Sequence, residues 1–168
     1  MTCILAIRHR AGVLVACDSV VSGDNMRATD SRKVRRAHGV FLGASGHGRL
    51  CELALGVRCA PYRGGSLRDW SERHYAPAVW AAAKAEPGDE LELCVLLAVH
   101  DQIACLDDDG STYDPLCPDL HAIGSGAEYA LGSLASSSGA PKARATLALE
   151  IAARYGDGIG PPWRFVSA

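Results

Sequence analysis

The order of apolar and polar segments predicts an α+β fold for this chain of 168 residues. Strand-like pairs come first, helix-like segments follow, and more strands, more helices and a last strand complete the chain. Strands and helices that occur in blocks, instead of alternating one by one, are typical of α+β proteins. Hydrophobic residues make up 48% of the chain and charged residues 21%. This balance and length suit one domain with a sizeable core, so we expect residues 1–168 to form a single domain.

Two short apolar runs near the N-terminus predict a buried β-hairpin. Residues 3–7 and 13–16 are apolar, and Gly12 lies in the turn between them. The second run ends just before Asp18, and a carboxylate at the end of a buried strand needs a cation or hydrogen-bond donors. Lys33 is a candidate partner for Asp18. On spacing alone, however, Lys33 is more simply one solvated charge in a basic segment.

Thr2 follows the initiator methionine and is a candidate nucleophile. A small second residue lets methionine aminopeptidase remove Met1, which would leave Thr2 with a free α-amine. A hydroxyl and an amine on one residue form a nucleophile and its own base, since an α-amine titrates near ~7.7–8.0. Many proteins begin with such a residue, so Thr2 alone does not establish a site.

The remaining elements are predicted from periodicity and turn residues. Residues 91–100 are the most apolar segment and predict a central strand buried on both faces. Ser66 is a candidate N-cap for a helix over 66–84, which Pro77 should kink or split. The clearest helix covers 141–155. Further strands are predicted at 40–44, 103–106, 111–113, 121–123 and 163–167, and a further helix at 127–134.

Composition and cysteine usage exclude several classes of protein. The net charge of −2 gives no reason to expect a nucleic-acid or membrane surface. No apolar run approaches the ~20 residues that span a bilayer, and the N-terminus lacks a signal-peptide pattern, so we expect a cytoplasmic protein. The seven cysteines include no Cys-x-x-Cys pair and are interpreted as free thiols. We expect no metal and no cofactor, and we interpret the acidic run 107–109 as a hairpin turn.

Several groups of residues together resemble the proteasome β-subunit family. They are Thr2 at the start of a strand, Ala-Cys-Asp-Ser at 16–19, Arg-Lys-Val-Arg-Arg at 32–36, and Gly-Ser-Gly-Ala-Glu-Tyr-Ala at 124–130. The basic segment is most similar to the bacterial HslV peptidase. These proteins are N-terminal nucleophile (Ntn) hydrolases. The resemblance covers nearly the whole chain and implies a four-layer αββα sandwich.

The resemblance also implies catalytic roles. Thr2 would be the nucleophile with its amine as general base, and Asp18 and Lys33 would be the charge pair behind it. Gly46 matches the glycine whose N–H forms the oxyanion hole, although Ala-Ser-Gly-His-Gly at 44–48 matches the family turn only loosely. His47 is interpreted as a pocket-rim or solvent residue, because the family needs no histidine base.

Two supporting residues and a pocket follow from the same resemblance. Ser125 would lie beside the amine, and Asp157 would contact both. The serine that usually follows this aspartate is replaced by Gly160, which puts part of the network in doubt. The substrate-binding residues are placed only by analogy and are Val21, Ser22 and Ala44.

The sequence therefore predicts a threonine peptidase that cleaves peptide bonds of unfolded polypeptides inside a homo-oligomeric ring. An ATPase unfoldase is a further candidate partner. The alternative is a catalytically inactive, ring-forming structural subunit with the same fold. A third interpretation keeps the fold and changes the substrate to a small amide.

Overall fold

A computed structural model describes residues 1–23, 26–29, 33–86 and 92–167 of the chain. Arg32 of the basic segment and Leu91 of the predicted central strand lie outside them. The strands are β1 (Ile4–His9), β2 (Gly12–Cys17), β3 (Val20–Gly23), β4 (Met26–Thr29), β5 (Val34–Ala37), β6 (Val40–Gly46), β7 (Leu93–Val99), β8 (Gln102–Leu106), β9 (Thr112–Tyr113), β10 (Leu120–Ile123) and β11 (Arg164–Ser167). The helices are α1 (Gly48–Gly56), α2 (Leu67–Trp70), α3 (Ala76–Ala83), α4 (Ala127–Ser136) and α5 (Pro141–Tyr155), with a π-helical turn (Ser71–Tyr75) between α2 and α3.

The N-terminal hairpin forms the centre of the first sheet. Its strand order is β10-β1-β2-β11, and each neighbouring pair is antiparallel. Ile4 lies opposite Cys17 on one side and opposite Ile123 on the other. The predicted hairpin is confirmed, and its register brings Asp18, the residue after β2, beside the N-terminal residues.

The second sheet has the order β5-β6-β7-β8-β9, again with antiparallel neighbours. Its middle strand, β7, lies within the segment predicted to be buried on both faces. Leu96 and Leu97, which point to opposite faces, are both fully buried. That prediction is confirmed.

The two sheets pack against each other and carry helices on their outer faces. Along β1, Leu5 and Ile7 pack against α4 and α5, whereas Ile4 and Ala6 pack against the second sheet. This alternation follows from the two-residue period of a strand. The outer face of the second sheet packs against α1, α2 and α3. The predicted α+β, four-layer αββα sandwich is confirmed.

The predicted helices occur in the structure, with the predicted N-cap at Ser66 and an interruption near Pro77. The Ser66 hydroxyl accepts a hydrogen bond of 3.1 Å from the Asp69 N–H and caps α2. The predicted helix over 66–84 is interrupted by the π-helical turn, which ends at Tyr75, two residues before Pro77. A proline in a helix lacks an N–H and crowds the carbonyl four residues earlier, and a wider turn relieves this crowding. Helix α5 has the predicted bounds.

A separate two-stranded hairpin, β3–β4, follows Asp18 and leads toward Lys33.

Among the helices of the described residues, none is long and apolar enough to cross a membrane.

Candidate active site at the N-terminal threonine

The loop between β10 and α4 holds the backbone of Thr2. The Thr2 nitrogen donates to Ser125 Oγ at 3.3 Å, and the Gly126 N–H donates to the Thr2 carbonyl oxygen at 3.2 Å. Gly124 has a φ of +91°, and a Cβ at this position would lie 2.3 Å from the Thr2 carbonyl oxygen. A side chain at residue 124 would therefore displace Thr2, and the Gly-Ser-Gly sequence is what allows this close approach.

Asp18 and Lys33 form a buried ion pair beside Thr2. Lys33 Nζ lies 2.8 Å from Asp18 Oδ1, and the two side chains are 8% and 0% exposed. The Asp18 carboxylate also accepts hydrogen bonds from the Cys3 N–H at 2.9 Å and the Val20 N–H at 3.1 Å. The cation and two donors supply what a buried carboxylate needs. The structure thus pairs Asp18 with Lys33, and Lys33 is not a solvated charge.

The ammonium of Lys33 also reaches the peptide bond that precedes Thr2. Lys33 Nζ donates to the Met1 carbonyl oxygen at 3.1 Å. While Met1 is present, the Thr2 nitrogen is an amide that donates to Ser125 and cannot act as a base. Removal of Met1 would convert the same nitrogen into an amine between a buried cation and a serine hydroxyl.

Gly46 ends β6 with a φ of +127°, a conformation that favours glycine. A Cβ there would lie 2.1 Å from the Glu92 carbonyl oxygen. The Ala44 N–H donates to the Lys33 carbonyl at 3.1 Å, whereas the His47 N–H donates to Glu92 on the opposite side. Because strand N–H groups alternate in direction, we expect the Gly46 N–H to point toward the Lys33 side of the sheet.

Other predicted residues lie outside this group. Asp157 follows α5, is exposed, and makes no hydrogen bond with Thr2 or Ser125 in the part of the chain that the structure describes. Ala44 is 3% exposed and packs in the core beneath the outer helices. Val21 is 43% exposed on β3. The Ser22 side chain lies outside the described residues, so its predicted pocket role stays a prediction.

Cys3 is the neighbour of Thr2 in sequence but not a second nucleophile. Its side chain is fully buried against α4 and α5. Burial, and secondarily the Asp18 carboxylate, raises the pKa of this thiol to about 12. A thiolate is the reactive form, so Cys3 is inert at neutral pH.

The described residues contain no cluster of three or more His, Cys, Asp or Glu side chains that could hold a metal ion. The chemistry that the site can perform comes from the groups around Thr2: a hydroxyl, a nitrogen, a buried cation and backbone N–H donors.

Comparison with solved structures identifies the fold. BPH from Thiobacillus denitrificans, in complex with epoxomicin, is 18% identical with a TM-score of 0.69, and the match covers 98% of this chain and 96% of that one. HslV from Trypanosoma brucei is 19% identical with a TM-score of 0.70 over 98% and 97% of the two chains. The Anbu protein of Pseudomonas aeruginosa, solved as a helical assembly, is 14% identical with a TM-score of 0.76 over 99% and 80%.

This chain has the HslV-like Ntn-hydrolase fold of proteasome-type proteins. No model of a protein family matches the sequence. No curated protein sequence matches it either. The proteasome-type fold therefore stands on the three-dimensional structure and on the short motifs around Thr2.

One residue beside the candidate site is not predicted by the sequence motifs. Ser45, on β6, is 9% exposed, and its Oγ lies 2.9 Å from the position that a Cβ on Gly124 would occupy. A hydroxyl within an otherwise apolar strand that precedes a glycine turn is the signal that would have drawn attention to it.

Proposed function

We propose that this protein is a threonine-type peptidase that acts after Met1 has been removed. Thr2 Oγ would attack a peptide carbonyl carbon, and the hydroxyl proton would pass to the α-amine. The amine would return that proton to the leaving amine as the peptide bond breaks. Water would then attack the acyl-enzyme ester, with the amine again as base, and release the second product and Thr2.

The observation that carries the proposal is the position of the buried ion pair at the first peptide bond. Lys33 Nζ lies 3.1 Å from the carbonyl oxygen of the Met1–Thr2 peptide and 2.8 Å from Asp18. A buried cation at this place favours the deprotonated form of a neighbouring hydroxyl. Ser125 Oγ, 3.3 Å from the Thr2 nitrogen, would hold the amine.

The other predicted roles belong to the same proposal. The Gly46 N–H would stabilise the oxyanion. Asp157 would contact Ser125 and the amine, and Val21, Ser22 and Ala44 would line the substrate pocket by analogy with the family. The proposed substrate is an unfolded polypeptide, and the proposed location is the cytoplasm.

Assembly is also proposed. The P. aeruginosa Anbu protein with this fold forms a helical assembly, so we propose that this chain forms a homo-oligomer, with a closed ring as the form that would enclose the sites. An ATPase unfoldase would be the partner that delivers unfolded chains. Sedimentation velocity of the purified protein tests the oligomer, and a monomer at micromolar concentration would contradict it.

One observation favours the alternative of an inactive structural subunit. Asp157 is exposed and, among the residues that the structure describes, makes no hydrogen bond with Ser125 or Thr2. In that case the oligomer would form, but the protein would cleave no peptides.

Intact mass and peptide turnover, measured together, distinguish the two functions. We expect the purified protein to lack one methionine and to cleave a set of fluorogenic peptides. Thr2→Ala should abolish turnover and leave the fold intact, whereas Thr2→Ser should retain part of it. Thr146→Ala is the matched control, because the Thr146 hydroxyl donates to the Lys142 carbonyl of its own helix. Epoxomicin, which BPH binds, should reduce the turnover. Undiminished turnover in Thr2→Ala would refute the proposal.

A further inference from the structure

The side chain of Ser45 faces the first sheet, at the end of that sheet where β1 begins. Ala44 packs in the core beneath the outer helices, so its neighbour on the strand points to the opposite face. Gly43 lies two residues before Ser45 and therefore shares its face of the strand. This face looks toward β1, since a Cβ on Gly43 would lie 2.9 Å from Ile4 Cγ2. Ser45 therefore lies in the layer between the two sheets, at the end where β1 begins.

Gly124 connects Ser45 with Thr2. A Cβ on Gly124 would lie 2.3 Å from the Thr2 carbonyl oxygen and 2.9 Å from Ser45 Oγ. Both atoms thus border the space left by one missing side chain. The Cys3 side chain points toward α4 and α5. The side chain of Thr2, the preceding residue, is therefore expected on the opposite face, in the same layer as Ser45.

The Ser45 side chain is about nine-tenths buried beside Thr2. Other buried serine hydroxyls are satisfied: Ser19 donates to the Pro162 carbonyl at 2.6 Å, and Ser71 pairs with Thr112 at 3.1 Å. Ser45 is 9% exposed and finds no such partner among residues 1–23, 26–29, 33–86 and 92–167. A serine hydroxyl can donate one hydrogen bond, so Ser45 has a donor available for a group that lies next to it.

We propose that Ser45 is a further positioning residue of the Thr2 site. Its hydroxyl donates a hydrogen bond to Thr2 Oγ after Met1 has been removed, and this bond orients the oxygen for attack. No proton is transferred. The effect of Ser45 on catalysis rests on the proposed peptidase function. The hydrogen bond between Ser45 and Thr2 does not depend on that function.

A crystal structure of the Met1-free protein tests the contact without any activity measurement. A fusion that is cleaved directly before Thr2 supplies this form if Met1 is retained in the cell. We expect Ser45 Oγ at about 2.5–3.0 Å from Thr2 Oγ1. A Ser45 hydroxyl bonded only to other groups would overturn the proposal, whether or not the protein is an enzyme.

Kinetics of Ser45→Ala test the consequence. We expect kcat to fall about tenfold, as for the loss of one hydrogen bond, with KM unchanged. The urea midpoint should stay the same, because the Ser45 hydroxyl makes no hydrogen bond to the residues that the structure describes. Ser138→Ala, at an exposed serine, is the control and should change neither value.

The outcomes separate the two proposals. An unchanged kcat in Ser45→Ala, or a fall in kcat together with a lower urea midpoint, would overturn the positioning role. Absence of turnover in the wild-type protein would contradict the peptidase proposal alone, and the crystallographic distance would still decide the contact.

Discussion

The ion pair between Asp18 and Lys33 should be a strongly coupled part of the fold. At an effective dielectric constant of about 20, two unit charges 2.8 Å apart attract each other by about 6 kcal/mol. Desolvation of both groups offsets much of this attraction. Removal of one partner, however, leaves a buried charge alone and costs about 3–5 kcal/mol. We therefore expect Lys33→Met and Asp18→Asn each to lower the free energy of unfolding by that amount.

A double-mutant cycle measures the coupling. The variant Asp18→Asn/Lys33→Met carries no buried charge at these positions, so its loss should be smaller than the sum of the single losses by about 2–3 kcal/mol. Urea unfolding gives the free energies of all four proteins. The protein concentration is kept the same throughout, because the stability of an oligomer depends on concentration.

The matched control is the exposed pair Arg68 and Glu72. Their atoms approach to 2.9 Å, but the side chains are 46% and 44% exposed. Water screens such a pair, and its coupling should be about 0–1 kcal/mol. If the losses at Asp18 and Lys33 add to within about 0.5 kcal/mol, the reasoning about their burial is wrong.

Three more predictions concern packing, thiol reactivity and pH. Gly124→Ala should lower the free energy of unfolding by about 1–3 kcal/mol from backbone strain alone, and the clash with the Thr2 carbonyl adds to this loss. Gly132→Ala, in open space on α4, is the control and should leave the free energy of unfolding unchanged or raise it. Urea unfolding measures both. Brief iodoacetamide treatment of the native protein should label exposed Cys117 and leave buried Cys3 unlabelled by mass spectrometry. Burial lowers the pKa of His121 in the folded protein. As the pH falls, the unfolded chain therefore takes up the His121 proton at a higher pH than the folded chain does, and stability should fall as the pH drops below about 6.5. The fall should be smaller in His121→Gln, and an identical pH profile of unfolding in that variant would contradict the assignment.

The sequence determined the elements whose signals are local. The apolar runs around Gly12 predicted the hairpin, the continuous apolar segment predicted β7, and Pro141 with its following periodicity predicted α5. Each signal lies within a few residues of what it predicts, so no tertiary information was needed. The small second residue likewise marked Thr2 as a candidate nucleophile.

The tertiary structure decided which of these residues meet. The contact of Thr2 with Ser125 joins residues 123 positions apart, and strand register sets it, which spacing along a chain does not encode. Spacing along the chain favoured a solvated Lys33, whereas the family resemblance implied its pairing with Asp18. The folded chain buries the two side chains against each other. Ser45 has no local signal for the same physical reason: its proposed role depends on its proximity to Gly124 in a distant loop, and that proximity exists only after the sheets have packed.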